Sequence, residues 1–461
     1  MKNKISTTFF LTFLVVIGLG LLHYLPTMKM NGDPLRKVDL LADIRPDKPE
    51  PVLAVVSADS DTLVLPPPVK PVFIDSCKPG IECIEDYADS TAFGMSAFYE
   101  ALEKLKTSDR PVRIAYFGDS FIEGDILTAD LRASLQEKFG GCGVGYMPLT
   151  SITAGFRPTV RHQFDHWETH TVTDSIGFIK RNQGISNHYF LADSMATISL
   201  KGQRKYASCL DTCEVSDFYF LTPDSIRLTA QVNNKEIEEF ILQGDSTLQK
   251  VSVEGRIGKV TWTVNESTPA SLFYGATMDP LSGIVLDNFS TRGSSGQQLG
   301  GIPLSILKQY NELRTYDLIV LHYGLNVAFE EGVNYNYYKE GMKPVVAKLK
   351  KAFPQASILI VGIGDRESKD ENGDLRTIPG VKNLIRYQQA LAAETHVAFW
   401  NLYQAMGGEG SIVEMVDAEP PMANLDYTHI NFRGGKHIAH FLFEALMHGK
   451  EQYEKRKAYE M

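Results

Sequence analysis

The apolar run Ile114-Ala115-Tyr116-Phe117 ends in Gly118-Asp119-Ser120, the pattern of a buried strand that stops at a sharp turn where a helix begins. A serine held there stands at the C-terminal edge of a sheet, with the first N–H groups of a helix behind it to meet developing negative charge. Ser120 is therefore a candidate nucleophile, and it needs a base. Asp426-Tyr427-Thr428-His429 offers one: an Asp three residues before a His brings its carboxylate to the far ring nitrogen and fixes tautomer and orientation. Between these stretches Leu318-Ile319-Val320-Leu321 runs through His322 into Gly324-Leu325-Asn326, whose side-chain amide is a candidate donor to an oxyanion. Nucleophile, base, orienting acid and oxyanion donor are the parts of an acyl transfer.

The elements around these residues must bring them to one edge. A helix over about 91–106, with an apolar stripe from Phe93 to Leu102, leads into the nucleophile strand, and a second over about 126–139 follows Ser120 and stops at Gly140-Gly141. After about residue 281 the alternation resumes. A strand from Gly283 enters a glycine-rich turn, and helices near 336–353, 381–395 and 434–447 alternate with strands at 357–362 and 397–400. Strands and helices alternating at these lengths predict a parallel sheet with helices on both faces. From about 150 to 280 the pattern differs: short alternating runs such as Ser225–Val232 and Lys259–Val264, separated by Asn233-Asn234 and Glu254-Gly255 turns, predict an inserted antiparallel β-sandwich. Its Trp167, Tyr189, Tyr219 and Trp262 could stack on sugar rings, although aromatic residues in strands more often form core.

Gly118-Asp119-Ser120, the glycine turn at Gly293, Gly324-x-Asn326 and Asp426-x-x-His429, in that order, resemble the four blocks of the SGNH (GDSL) hydrolase superfamily. The order of the blocks is more specific than any single block. The chain departs from the family at Phe121 and Val327, where Leu and Asp are frequent; neither position carries the chemistry. The resemblance implies a three-layer α/β/α, flavodoxin-like fold and an ester hydrolase in which Ser120 attacks, His429 takes the proton and Asp426 holds the imidazolium. The N–H groups of Ser120 and Gly293 and the Asn326 amide would bind the oxyanion, with no metal or cofactor. Gly296 is an alternative to Gly293, which lies nearer the strand end. An exported core interrupted by a β-sandwich is similar in layout to bacterial peptidoglycan and polysaccharide O-acetylesterases. The implied substrate is an acylated carbohydrate, the rivals being an O-acetyltransferase with the same triad, a lipid or thioester hydrolase, and a non-enzymatic glycan-binding protein.

The rest of the chain bounds that reading. It has 461 residues, 43% of them apolar, and a formal charge of −10 that argues against a nucleic-acid partner. Lys2 and Lys4 precede a nearly charge-free run from Ile5 to Leu25 without a small-residue cleavage site, which predicts a signal-anchor over 1–27, with the remainder in the periplasm outside the inner membrane. A cleaved signal peptide and a soluble periplasmic protein form the alternative. Residues 28–86, with Pro46, Pro49, Pro51 and Pro66-Pro67-Pro68, read as a linker; 87–149 and 281–461 form the two parts of the core, and 150–280 the insert. Cys77 with Cys83 and Cys209 with Cys213 are spaced for disulfides in an exported protein, leaving Cys142 single. His162, His166 and His170 recur at four-residue spacing without an accompanying carboxylate motif and read as surface residues. Asp365-Arg366, after a strand, is a modest candidate for substrate contact.

Overall fold

The computed structural model describes residues 75–89, 94–174 and 176–460, together with Phe10, Phe13 and the short pair Lys29–Met30 and Asp33–Pro34. The chain divides into a unit of residues 1–71 and a unit of residues 72–461. Most of the Ile5–Leu25 run and of the 28–86 linker lies outside the described residues, among which no helix is long and apolar enough to cross a membrane.

In the second unit, β1 (Glu85–Asp86) and α1 (Ser96–Lys104) lead into β2 (Val112–Gly118), the nucleophile strand, which is followed by α2 (Thr128–Phe139). The chain then leaves the sheet through β3 (Gly145–Pro148). An antiparallel excursion follows: β4 (Val160–Thr171), β5 (His188–Gly202), β6 (Cys213–Leu221), β7 (Ile226–Val232), β8 (Ile237–Leu242), β9 (Leu248–Ile257), β10 (Lys259–Glu266) and β11 (Leu272–Met278). It returns as β12 (Ile284–Ser290), α3 (Leu304–Leu313), β13 (Leu318–His322), α4 (Asn336–Ala352) and β14 (Ser357–Val361). The small hairpin β15 (Glu367–Lys369) and β16 (Leu375–Thr377) precedes α5 (Pro379–Glu394), β17 (Ala398–Trp400), α6 (Leu402–Met406), α7 (Ser411–Asp417) and the long α8 (Phe432–Glu460).

The main sheet runs β12-β2-β13-β14-β17-β1, all neighbours parallel except the last pair. Counting its parallel strands in chain order gives 2-1-3-4-5, the flavodoxin-like order, in which the crevice for a ligand opens between the first and third strands. Those strands are β2 and β13. Apart from Arg113 and His322 both carry no polar side chain, because both faces are covered, and the strand period sorts them. Ala115, Phe117, Ile319 and Leu321 pack with α3, α4 and α5, whereas Ile114, Tyr116, Leu318 and Val320 pack with α1, α2 and α8. This is the three-layer α/β/α architecture that the sequence predicts.

The excursion forms a separate antiparallel sheet, β8-β7-β10-β5-β11-β6-β9, with β3 paired to β11 and β4 to β5. Its own core holds Val260, Trp262 and Val264 at alternate positions of β10, together with Phe190, Phe218 and Phe273. Trp262, Tyr219 and Tyr189 are buried, and Trp167 lies against Phe190, Phe218 and Phe273, so all four are core rather than sugar platforms. The three histidines lie on strand β4 rather than a helix, and a bulge at His166 breaks their register: His162 is buried, while His170 stacks on Tyr189.

Cys77 and Cys83 are joined by a disulfide. Cys209 and Cys213 are not. Cys213 is buried at the start of β6 with its thiol on the Ile257 carbonyl, while Cys209 sits exposed in the preceding turn at φ +67°.

Candidate active site

Strand register sets the site. Gly118 is level with Ser290 of β12 and with His322 of β13, so three strands end on one line, and Ser120, Gly293 and Asn326 follow within a few residues of it. The close approach at this line requires Gly118: a Cβ there would press on Ile122 and on the His322 carbonyl.

The chain enters from the far side to complete the constellation. Asp426 forms an Asx turn, its Oδ1 accepting from the N–H groups of Thr428 (3.0 Å) and His429 (2.9 Å), with Tyr427 at φ +50°. That turn leaves Oδ2 facing His429 Nδ1 at 2.8 Å, and the other ring nitrogen, Nε2, lies 3.2 Å from Ser120 Oγ. Burial alone would raise the Asp426 carboxyl, but the hydrogen bonds from His429 and Thr428 outweigh it and hold the group below the usual carboxylate range. Asn431 then caps α8 by accepting from Arg433 N–H at 2.9 Å, and Gly435 lets α8 approach the Ile126 carbonyl, docking the base-bearing segment on the turn between Ser120 and α2.

The oxyanion side is open. Gly293 sits exposed at φ +76°, and its N–H makes no hydrogen bond among the described residues. Gly296 differs: its N–H donates to Ser294 Oγ at 3.0 Å, and a Cβ on it would strike Tyr323, so it serves the turn. The exposed Asn326 amide donates to Asp119 Oδ2 (3.2 Å) and to the Ser294 carbonyl (3.1 Å). Arg366 steadies its loop by donating to the Leu325 and Ala328 carbonyls, and the adjacent Glu367 N–H donates to the Tyr427 carbonyl at 3.1 Å. Arg366 thus braces the Asn326 loop and Glu367 the His429 loop.

Asp365, a candidate for substrate contact by sequence, is instead buried and internal. It accepts from Thr377, Ser411 and the Ile412 N–H.

Two groups escape a reading by motif. Asp119 is buried beside the nucleophile, accepts from Phe121 N–H (3.0 Å) and Asn326, and is pushed by burial up to about 6. As part of Gly-Asp-Ser it looks like an ordinary turn residue. Asp125, at φ +67°, anchors the far end of the nucleophile turn. Arg132 of α2 reaches it at 3.1 Å, Thr159 at 2.6 Å and Arg157 at 3.9 Å, the last two coming from the segment between β3 and β4. Burial works against this carboxylate, but the two guanidinium groups and the Arg132 and Thr159 hydrogen bonds hold it well below its ordinary range. Nothing local in the sequence pairs Arg157 with Asp125.

No protein-family model matches the chain, and a comparison with curated proteins finds no relative. Solved structures do resemble it. A peptidoglycan O-acetylesterase superposes with a TM-score of 0.63 at 19% identity, covering 80% of this chain and 99% of that one. A family two carbohydrate esterase from Clostridium thermocellum in complex with cellohexaose gives 0.27 at 11% identity, covering 57% and 95%. A putative GDSL-like lipase from Parabacteroides merdae gives 0.27 at 15%, covering 36% and 74%, and at these scores neither adds to the first. The chain, an α/β sheet with an inserted antiparallel β sheet, shares the fold of the first of these structures over nearly all of that structure's length.

Proposed function

We propose that this protein is a serine esterase that removes O-acetyl groups from a cell-envelope or other polysaccharide. The observation that carries the proposal is the relay from Ser120 Oγ to His429 Nε2 and from Nδ1 to Asp426, set at the crevice between β2 and β13.

Ser120 Oγ attacks the ester carbonyl as His429 Nε2 takes its proton, and Asp426 stabilises the imidazolium. The tetrahedral oxyanion is met by the N–H groups of Ser120 and Gly293 and by Asn326. Both hydrogens of the Asn326 amide are engaged at rest, but a full negative charge is a stronger acceptor than the Ser294 carbonyl and draws one of them away. Collapse returns the proton from His429 to the departing sugar oxygen. Water, deprotonated by the same imidazole, then releases acetate.

The His429 and Asp426 side chains are 39% and 49% exposed, which leaves the acyl-enzyme open to water. The polysaccharide assignment is supported by the likeness to the peptidoglycan O-acetylesterase. Lys2 and Lys4 before the nearly charge-free run from Ile5 to Leu25 support a single-pass anchor with the catalytic unit in the periplasm.

The test is a panel of purified full-length protein against O-acetylated peptidoglycan, acetylated xylan and 4-nitrophenyl esters of rising chain length, with and without an acceptor sugar. Free acetate from a glycan and a preference for acetyl support the proposal. Preference for long chains, or acetylated acceptor without free acetate, rejects it in favour of a lipid hydrolase or a transferase.

A further inference from the structure

Resting on that reading, we propose that Phe156 is the platform for a pyranose ring of the substrate beside Ser120. The four aromatic residues singled out by sequence are core, so a sugar-stacking surface must lie elsewhere. Phe156 is 43% exposed and sits on the segment that connects β3 to β4. Its ring lies directly on the backbone of Gly124, where any Cβ would overlap it, and Gly124 is itself held at φ +59°. That glycine belongs to the nucleophile turn: the next residue back, Glu123, donates its N–H to the Ser120 carbonyl.

The ring is presented from a rigid mount. Phe156 and Arg157 both donate their N–H groups to the buried Thr153 carbonyl (3.1 and 3.0 Å), and Arg157 is sealed against Asp125 and the Met147 sulfur. A pre-set aromatic face loses little entropy on binding. Next to it, Glu123 is paired with the exposed Arg292, the neighbour of Gly293. A pyranose offers a C–H face ringed by hydroxyls, and this rim offers an apolar face beside a fixed pair of charged hydrogen-bonding groups. An acetyl carbonyl delivered to Ser120 would thus come from a sugar resting on Phe156.

Steady-state kinetics of Phe156→Ala and Phe156→Trp on an O-acetylated glycan and on 4-nitrophenyl acetate test this. For Phe156→Ala, kcat/KM on the glycan is expected to fall about five- to tenfold, mainly through KM, while 4-nitrophenyl acetate turnover stays within about twofold and Phe156→Trp restores glycan activity. An unchanged glycan kcat/KM, or an equal loss on both substrates, overturns the platform while leaving the esterase reading intact. A wild-type protein that turns over 4-nitrophenyl acetate but no acetylated glycan overturns both.

Discussion

Ser120, His429 and Asp426 stand in one hydrogen-bonded relay, and Asp119 holds the Asn326 amide beside it. Asn326→Ala is predicted to lower kcat about 10²–10³-fold with a smaller effect on KM, because it removes a donor used in the transition state; a change confined to KM would contradict that role. Asp119 makes a distinct prediction. Its Oδ2 accepts from the Asn326 amide, so Asp119→Asn sets two N–H donors against each other or forces a flip, and kcat falls even though the volume is unchanged.

The same residue has a pH signature. Its folded-state value of about 6 lies above its ordinary 3.8, so the folded protein binds that proton more tightly than the unfolded chain. The cost of the buried charge is fully present above about pH 6 and fades as pH falls toward 4. Chemical denaturation should therefore show wild type gaining stability relative to Asp119→Asn, by a few kcal/mol, between pH 7 and pH 4. A pH-independent gap would show that Asp119 does not titrate in that window.

Among the elements, the parallel strands of the main sheet were legible because a parallel strand buried on both faces leaves a continuous apolar run, and Ile114–Phe117, Leu318–Leu321 and Ile358–Val361 are such runs. Contacts made across the fold left no local trace. The last helix reads as ending near Met447, where apolar periodicity fades at His448-Gly449-Lys450, yet α8 continues to Glu460. Gly449 there admits the Tyr99 hydroxyl, and His448 Nε2 meets the Ser76 carbonyl at 2.8 Å, partners more than 300 residues away in sequence. The Asp426-to-His429 spacing was readable as a carboxylate in reach of an imidazole, but the Asx turn that achieves it, with Tyr427 at positive φ, was not. Equally hidden was the brace on the nucleophile turn. Arg157→Met retains the bulk of the side chain and leaves Asp125 with Arg132 and Thr159, so a loss of about 1–3 kcal/mol in urea unfolding is predicted, with a fall in kcat on 4-nitrophenyl acetate as the turn loosens. Wild-type kcat in a destabilised Arg157→Met would make the contact structural only.

At the scale of the whole molecule, the β insert is bound into the catalytic fold rather than hung from it. On entry, Tyr146 of β3 donates its N–H to Asp287 Oδ1 of β12 at 2.7 Å. On exit, Asp279 just after β11 meets the fully buried Arg314, which also grips Asp287 at 2.7 Å through both Nε and Nη2. The guanidinium stays charged there despite burial because two carboxylates face it. Excising residues 150–280 would leave Arg314 with half its counter-charge and Asp125 without two partners. The truncated chain is predicted to be insoluble or inactive even on 4-nitrophenyl acetate, a substrate too small to need a glycan-binding module. Full small-ester turnover by the truncated chain would mark the insert as an accessory. The anchor is testable separately: protease added to intact spheroplasts should digest the catalytic unit, and protection would reverse the proposed topology.

Acetate release from O-acetylated peptidoglycan by full-length wild type and Ser120→Ala at matched concentration decides whether Ser120 is the nucleophile of a glycan O-acetylesterase. Acetate is expected from the wild type and none above background from a Ser120→Ala protein with an unchanged circular dichroism spectrum and melting temperature. Acetate release by folded Ser120→Ala at the wild-type rate would contradict that assignment.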